Sequence, residues 1–200
     1  MSKTLDFIFD FGSPNGYFAY KALSPILERT GASLNIIPCL LGGIFKETNN
    51  QPPMIAHGNV KGKLAYEQLE IQRFIKKHGL TNFKFNPHFP VNTIMLMRGA
   101  LVAERDGYLE SYIEAGLKAM WEDGLKMDDP QVFAEAMTAA GFDGPKMLEQ
   151  MQDADIKAKL FANTSAAVER GTFGIPTFYV GDEMFFGKDR LAQVEEELSK

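Results

Sequence analysis

The order of hydrophobic periods is the strongest constraint on what this chain can fold into. A period of two opens it, with Leu5, Phe7, Phe9 and Phe11 alternating with Asp6, Ile8 and Asp10, the mark of a strand. A helical period follows through Tyr20, Leu23 and Leu27, and residues 34–39 read as a second strand. From residue 63 to 171 every apolar period is helical. The period of two then returns in Thr177–Val180 and Glu183–Phe186, across the two-residue turn Gly181-Asp182. A last helix places Leu191, Val194 and Leu198 on one face. The order is therefore βαβ, a block of about a hundred helical residues, and ββα. The first unit, with a helix between its strands, is expected to pair them in parallel with a right-handed crossover.

Local signals set the boundaries. Ser13-Pro14 is a helix start, with the serine as cap and the proline in the first helical position. Pro25 is expected to kink or restart that helix, and Gly31 to end it. Residues 42–59, rich in Gly, Asn and Pro, read as a surface loop. Helices are expected over 63–78, 93–106, 108–123, from Asp129-Pro130 to just before Gly141, and over about 153–170. Residues 83–90 read as an ordered loop.

The βαβ…ββα order is the core of the thioredoxin fold. The expected fold class is thus α/β, with a thioredoxin-like core interrupted by a large all-helical insertion. The core comprises residues 1–45 and 172–200; residues 46–171 form a connecting loop and the insertion. Gly174-Ile175-Pro176-Thr177-Phe178 puts a proline between a helix and a strand, where this fold keeps a cis-proline. In such proteins the reactive group sits between the first strand and the first helix. Ser13 holds that place. It serves as a cap there, and a helix N-terminus also favours an anion such as a thiolate. No cysteine is present at this position, so the thiol would come from a cofactor.

Composition removes other classes. The net charge is −5, without the basic footprint of a nucleic-acid binder. No run approaches the ~18 apolar residues of a membrane span, and the N-terminus lacks a signal-peptide or transit pattern; the expected location is the cytoplasm. Cys39 is the sole cysteine, which excludes an intramolecular disulfide or a CxxC redox pair, and it reads as a small buried hydrophobe. His57, His78 and His88 lack metal-ligand spacing, so no metal site is expected. His57 and His88 fall in loops, and His78 ends a helix after Lys76-Lys77. The methionines between 95 and 151 fit helical core positions. Trp121 fits either the core or the wall of a site beside the insertion.

Asp10-Phe11-Gly12-Ser13-Pro14-Asn15-Gly16-Tyr17 resembles the N-terminal motif of the 2-hydroxychromene-2-carboxylate isomerases and kappa-class glutathione transferases. Gly43-Ile44-Phe45-Lys46 and Asn50-Gln51-Pro52-Pro53 are similar to the first loop of that family. Phe173–Phe178 and Phe186-Gly187-Lys188-Asp189-Arg190-Leu191 resemble its closing motifs. The resemblance spans the whole chain and implies a DsbA-like thioredoxin fold. It also implies glutathione as cofactor. Ser13 would hold the glutathione sulfur as thiolate, and Ile175 would pair its backbone with the cysteinyl part. Phe186, Gly187, Lys188 and Asp189 would hold the γ-glutamyl end, Asp189 doubling as a cap of the last helix. Asn50 and Lys61, or Lys63 in place of Lys61, would bind the glycyl end. Lys46 would face the carboxylate of the second substrate. The family pattern has Ser or Asn where this chain has Lys188, which leaves only the backbone N–H certain to serve there.

The activity so implied is glutathione-dependent isomerisation of a 2-hydroxychromene-2-carboxylate to an open-chain benzylidenepyruvate in aromatic catabolism. The partners would be a small aromatic-derived substrate and, from the resemblance, a second copy of the chain in a homodimer. The motifs do not separate isomerase from transferase. A kappa-like transferase or peroxidase, or a redox-dead thioredoxin-like binding module, fits the same residues.

Overall fold

The structure, a computed structural model, describes residues 3–200. β1 (Thr4–Phe9) lies inside a four-stranded sheet of order β2-β1-β3-β4, with β2 at Ser33–Pro38, β3 at Thr177–Val180 and β4 at Glu183–Phe186. β1 runs parallel to β2 and antiparallel to β3, and β3 is antiparallel to β4. α1 (Pro14–Thr30) crosses between β1 and β2. This is the thioredoxin-like core expected from the order of periods.

Between β2 and β3 every helix or strand among the described residues is helical: α2 (Leu41–Glu47), α3 (Pro53–Ala56), α4 (Lys63–His78), α5 (Ile94–Asp106), α6 (Leu109–Trp121), α7 (Pro130–Ala139), α8 (Gly144–Gln150) and α9 (Ala154–Glu169). A 3-10 turn, Lys188–Arg190, leads into α10 (Leu191–Leu198). Three expectations need correction. The stretch 42–59 is not all loop, since it holds most of α2 and all of α3. α8 is an additional helix, started by Asp143, whose carboxylate accepts the Lys146 N–H at 3.1 Å. α1 neither stops nor restarts at Pro25. Ser24 and Pro25 face solvent, so water can satisfy the carbonyl one turn back that loses its donor, and the helix runs through.

Helices cover both faces of the sheet. Leu5, Phe7, Phe9 and Phe11 join the large core with α1, α5 and α6. Ile8, on the opposite face, joins a smaller core with Cys39, Ile44, Ala167, Ile175 and Tyr179. Cys39 lies one residue past β2, fully buried. The functional segments lie along the seam between these two cores.

Candidate active site

Ser13 is the N-cap of α1. Its Oγ accepts the Gly16 N–H at 3.1 Å, while its hydroxyl donates to the Ile175 carbonyl at 2.9 Å. Burial leaves it 3% exposed. A Cβ on Gly16 would stand 3.3 Å from the Ser13 Cβ and 3.5 Å from the Ile175 side chain. The first turn of α1 therefore packs directly against Ile175–Pro176, a cis bond as expected. The ladder between β1 and β3 ends at Ile8 and Thr177, so Ile175 lies just outside it. The first turn of α1 holds no acidic residue, and its positive end is free to favour an anion.

The other sheet edge closes on the same point. Gly187 donates its N–H to the Pro176 carbonyl at 2.9 Å. Phe186 lies opposite Thr177 and packs its ring, tilted by 51°, against Phe173, ring centres 4.6 Å apart. Gly174 lets that ring lie close, since a Cβ there would meet it at 2.9 Å. Asn50 donates from its amide to the Phe173 carbonyl at 2.8 Å. Contacts thus link Ser13, Ile175, Phe186, Gly187 and Asn50, with Lys188 and Asp189 following directly. Lys46 and Lys61 are exposed, and among the described residues no contact ties them to this cluster. Lys63 is paired with Glu67 at 3.5 Å.

Asp189 does not cap the last helix. It sits inside the 3-10 turn, and the N-cap of α10 is Arg190, which makes no side-chain cap bond. Its carboxylate instead pairs with the Lys188 ammonium, at 2.9 and 3.1 Å. The Lys188 side chain is therefore engaged as well as its backbone.

Two residues of the first motif gain a place that its pattern did not reveal. Asp10 is 1% exposed; its two oxygens accept the Gly12 N–H at 2.8 Å and the Leu41 N–H at 2.7 Å, and Thr93 also hydrogen-bonds it. It joins the turn bearing Ser13 to the starts of α2 and α5. The signal was Ile8, an apolar residue between Asp6 and Asp10, which marks that strand face as covered. Asn15, in the first turn of α1, has a buried Oδ1 without a partner; nothing in its local sequence marks this.

Burial outweighs the hydrogen bonds and pushes the Asp10 carboxyl above its ordinary 3.8. The folded chain therefore holds this proton more tightly than the unfolded chain. Stability from this group is complete below about pH 3.8 and falls as pH rises through the raised value. Asp10→Asn removes the titration. The stability advantage of wild type over the variant is expected to narrow upward from that pH, at no more than ~1.4 kcal/mol per pH unit for one proton. Urea unfolding of both proteins across pH measures it; a difference constant with pH excludes the titration.

Cys39 supplies no chemistry. Burial first, then the nearby Asp10 charge, pushes its thiol up to about 12, and a buried thiol of this kind is inert. Trp121 is fully buried and donates its indole N–H to the Phe11 carbonyl at 2.8 Å, which places it in the core. His78 stacks on Phe74, while His57 and His88 have no part in the cluster. Among the described residues no three His, Cys, Asp or Glu side chains could hold a metal ion. No helix there is long and apolar enough to cross a membrane.

The residues present fit a thiol peptide. Ser13 offers a hydroxyl at a helix N-terminus, Ile175 lies outside the sheet ladder, and the charged Lys188 and Asp189 follow Gly187, whose N–H holds the Pro176 carbonyl. A four-stranded sheet with this order, a helical insertion and a capped first helix facing a cis-proline define a thioredoxin-fold protein without the redox cysteines. Residues 4–199 match the family model described as DSBA-like thioredoxin domain, and the chain belongs to that family. It is similar to a 2-hydroxychromene-2-carboxylate isomerase of Pseudomonas putida, 26% identical over 198 residues, which cover 98% of this chain and 94% of that protein. It is also similar to Glutathione S-transferase kappa 1 of Rattus norvegicus, 26% identical over 201 residues, covering 94% of this chain and 88% of that protein. A solved 2-hydroxychromene-2-carboxylate isomerase structure superposes with a TM-score of 0.82 at 26% identity, covering 96% of this chain and 93% of that one.

Proposed function

We propose that this chain is a glutathione-dependent isomerase acting on 2-hydroxychromene-2-carboxylate-type compounds in aromatic catabolism. The observation that carries the reading is the Ser13 hydroxyl, buried at the N-terminus of α1 against Ile175. Bound glutathione would supply a thiolate, which adds to a conjugated double bond and departs again after rotation. Ser13 would turn its hydroxyl from the Ile175 carbonyl toward that sulfur, with the α1 dipole adding to the stabilisation. Ile175 would orient the cysteinyl backbone. Phe186, Gly187, Lys188 and Asp189 would hold the γ-glutamyl end, and Asn50 with Lys61 or Lys63 the glycyl end. Lys46 would receive the carboxylate of a small aromatic-derived substrate. The reading extends to a homodimer acting in the cytoplasm.

Relatives named as kappa transferases support a second reading on the same site, conjugation or peroxide reduction. One experiment separates them: incubation with a chromene carboxylate and glutathione, with product and thiol both quantified. The isomerase is expected to form the open-chain isomer with free thiol unchanged. Thiol loss in step with product shows a transferase. Absence of glutathione binding by calorimetry leaves the binding module.

A further inference from the structure

Lys188 is an unusual lysine. Its side chain is 6% exposed, whereas that of Asp189 is 64% exposed. Its ammonium lies on both Asp189 oxygens and 5.3 Å from the centre of the Phe74 ring, on α4. The stem is held by packing, so the charge cannot swing away into water as a surface lysine would. Glu70 and Arg73 pair with each other on the same helix, which leaves Asp189 as the ion-pair partner of Lys188. The lysine stands next to Gly187, whose N–H holds the Pro176 carbonyl. It therefore flanks the Ser13–Ile175 junction.

A carboxylate whose charge is already met by a fixed ammonium on both oxygens attracts a second one less strongly. The pair is neutral as a unit, and an incoming ammonium would also meet the Lys188 charge at close range. An anionic oxygen fares better. An ammonium has three donors; two lie on Asp189, and among the described residues no other acceptor takes the third. We infer that Lys188 fixes which thiol this site accepts: an acyl-cysteinyl thiol with a carboxylate at its far end, whose α-amino group is dispensable. The inference rests on the glutathione reading above and sharpens it, since Lys188 itself occupies the role of the γ-glutamyl ammonium as partner of Asp189.

Calorimetric titration of the full chain with glutathione and with its des-amino analogue, glutaryl-cysteinyl-glycine, tests this. Wild type is expected to bind the two within about threefold of each other. Lys188→Met, which keeps the buried stem, and Lys188→Ser both free Asp189. Each is expected to prefer glutathione by about tenfold, the worth of a charge-assisted hydrogen bond. A wild-type preference of about tenfold for glutathione, or a ratio unchanged in Lys188→Met, overturns the role of Lys188. Should a variant not fold, the wild-type ratio decides alone. If neither thiol binds wild type, the glutathione reading itself falls, and the inference with it.

Discussion

Ser13→Ala is expected to slow turnover by ~10²–10³, the usual effect of removing one donor to a developing or full anion. The site explains why activity would not vanish. The α1 dipole and the backbone around Ile175 remain, so a thiolate still finds partial stabilisation. The apparent pKa governing the pH–rate profile is expected to rise toward that of a free thiol, ~8.5. A structural effect accompanies this, because Ser13 also accepts the Gly16 N–H and donates to the Ile175 carbonyl. Loss of the cap costs about 0.5–2 kcal/mol, which a thermal melt reads separately from the rate. Cap loss alone lowers the melting temperature without moving the pH profile. Equal profiles and rates in the two proteins would make Ser13 a cap and nothing more. Ser13→Cys extends the test by placing a thiol at this helix terminus: given glutathione disulfide, its thiolate is expected to attack one sulfur, form a mixed disulfide and release one glutathione thiol, which blocks turnover.

What the sequence made legible here depends on how local each cause is. Ser13-Pro14, the alternation of β1 and the Gly181-Asp182 turn act within a few residues of one another, and each element appears where its pattern put it. α2 does not work that way. Its first residues carry Gly42 and Gly43, and Leu40 at its N-cap makes no side-chain bond. The helix is started from far away in the chain: Thr164 accepts the Leu40 N–H at 3.0 Å, and Asp10 accepts the Leu41 N–H at 2.7 Å. Gly43 is what lets α9 approach, since a Cβ there would stand 2.9 Å from Thr164. No local pattern records such partners. Lys188 follows the same rule, for a lysine in a turn reads as exposed, yet its side chain is buried with its ammonium over the Phe74 ring of α4. Ser13 as a helix cap and Ile175–Pro176 as a cis bond were legible, because each is set within its own short segment. The contacts of Asp10 with α2 and of Lys188 with α4 were not legible, because separate segments meet there.

Trp121→Ala is expected to remove about 3–5 kcal/mol of stability, the range for deleting a large buried aromatic. The indole is fully buried at the end of α6, stacked near Phe83 with ring centres 5.8 Å apart and flanked by Phe85 and Phe89 at 6.0 Å each. Its N–H holds the carbonyl of Phe11, two residues before Ser13. The alanine variant thus opens a cavity and orphans an acceptor in the turn that carries Ser13. A melting temperature lower by on the order of 10 °C follows for a chain of this size. Trp121→Phe weights the two losses differently, because it keeps most of the ring packing while removing the hydrogen bond, at about 1–3 kcal/mol for the unpaired carbonyl. Circular dichroism is the measurement of choice, since Trp121 is the sole tryptophan and its variants leave no indole to follow by fluorescence. A residue that merely walls a substrate cavity would behave in the opposite way, raising KM while leaving the melting temperature in place. With the indole sealed between Phe11 and Phe83, the temperature is the quantity expected to move, and kcat to fall with it as the Ser13 turn loosens.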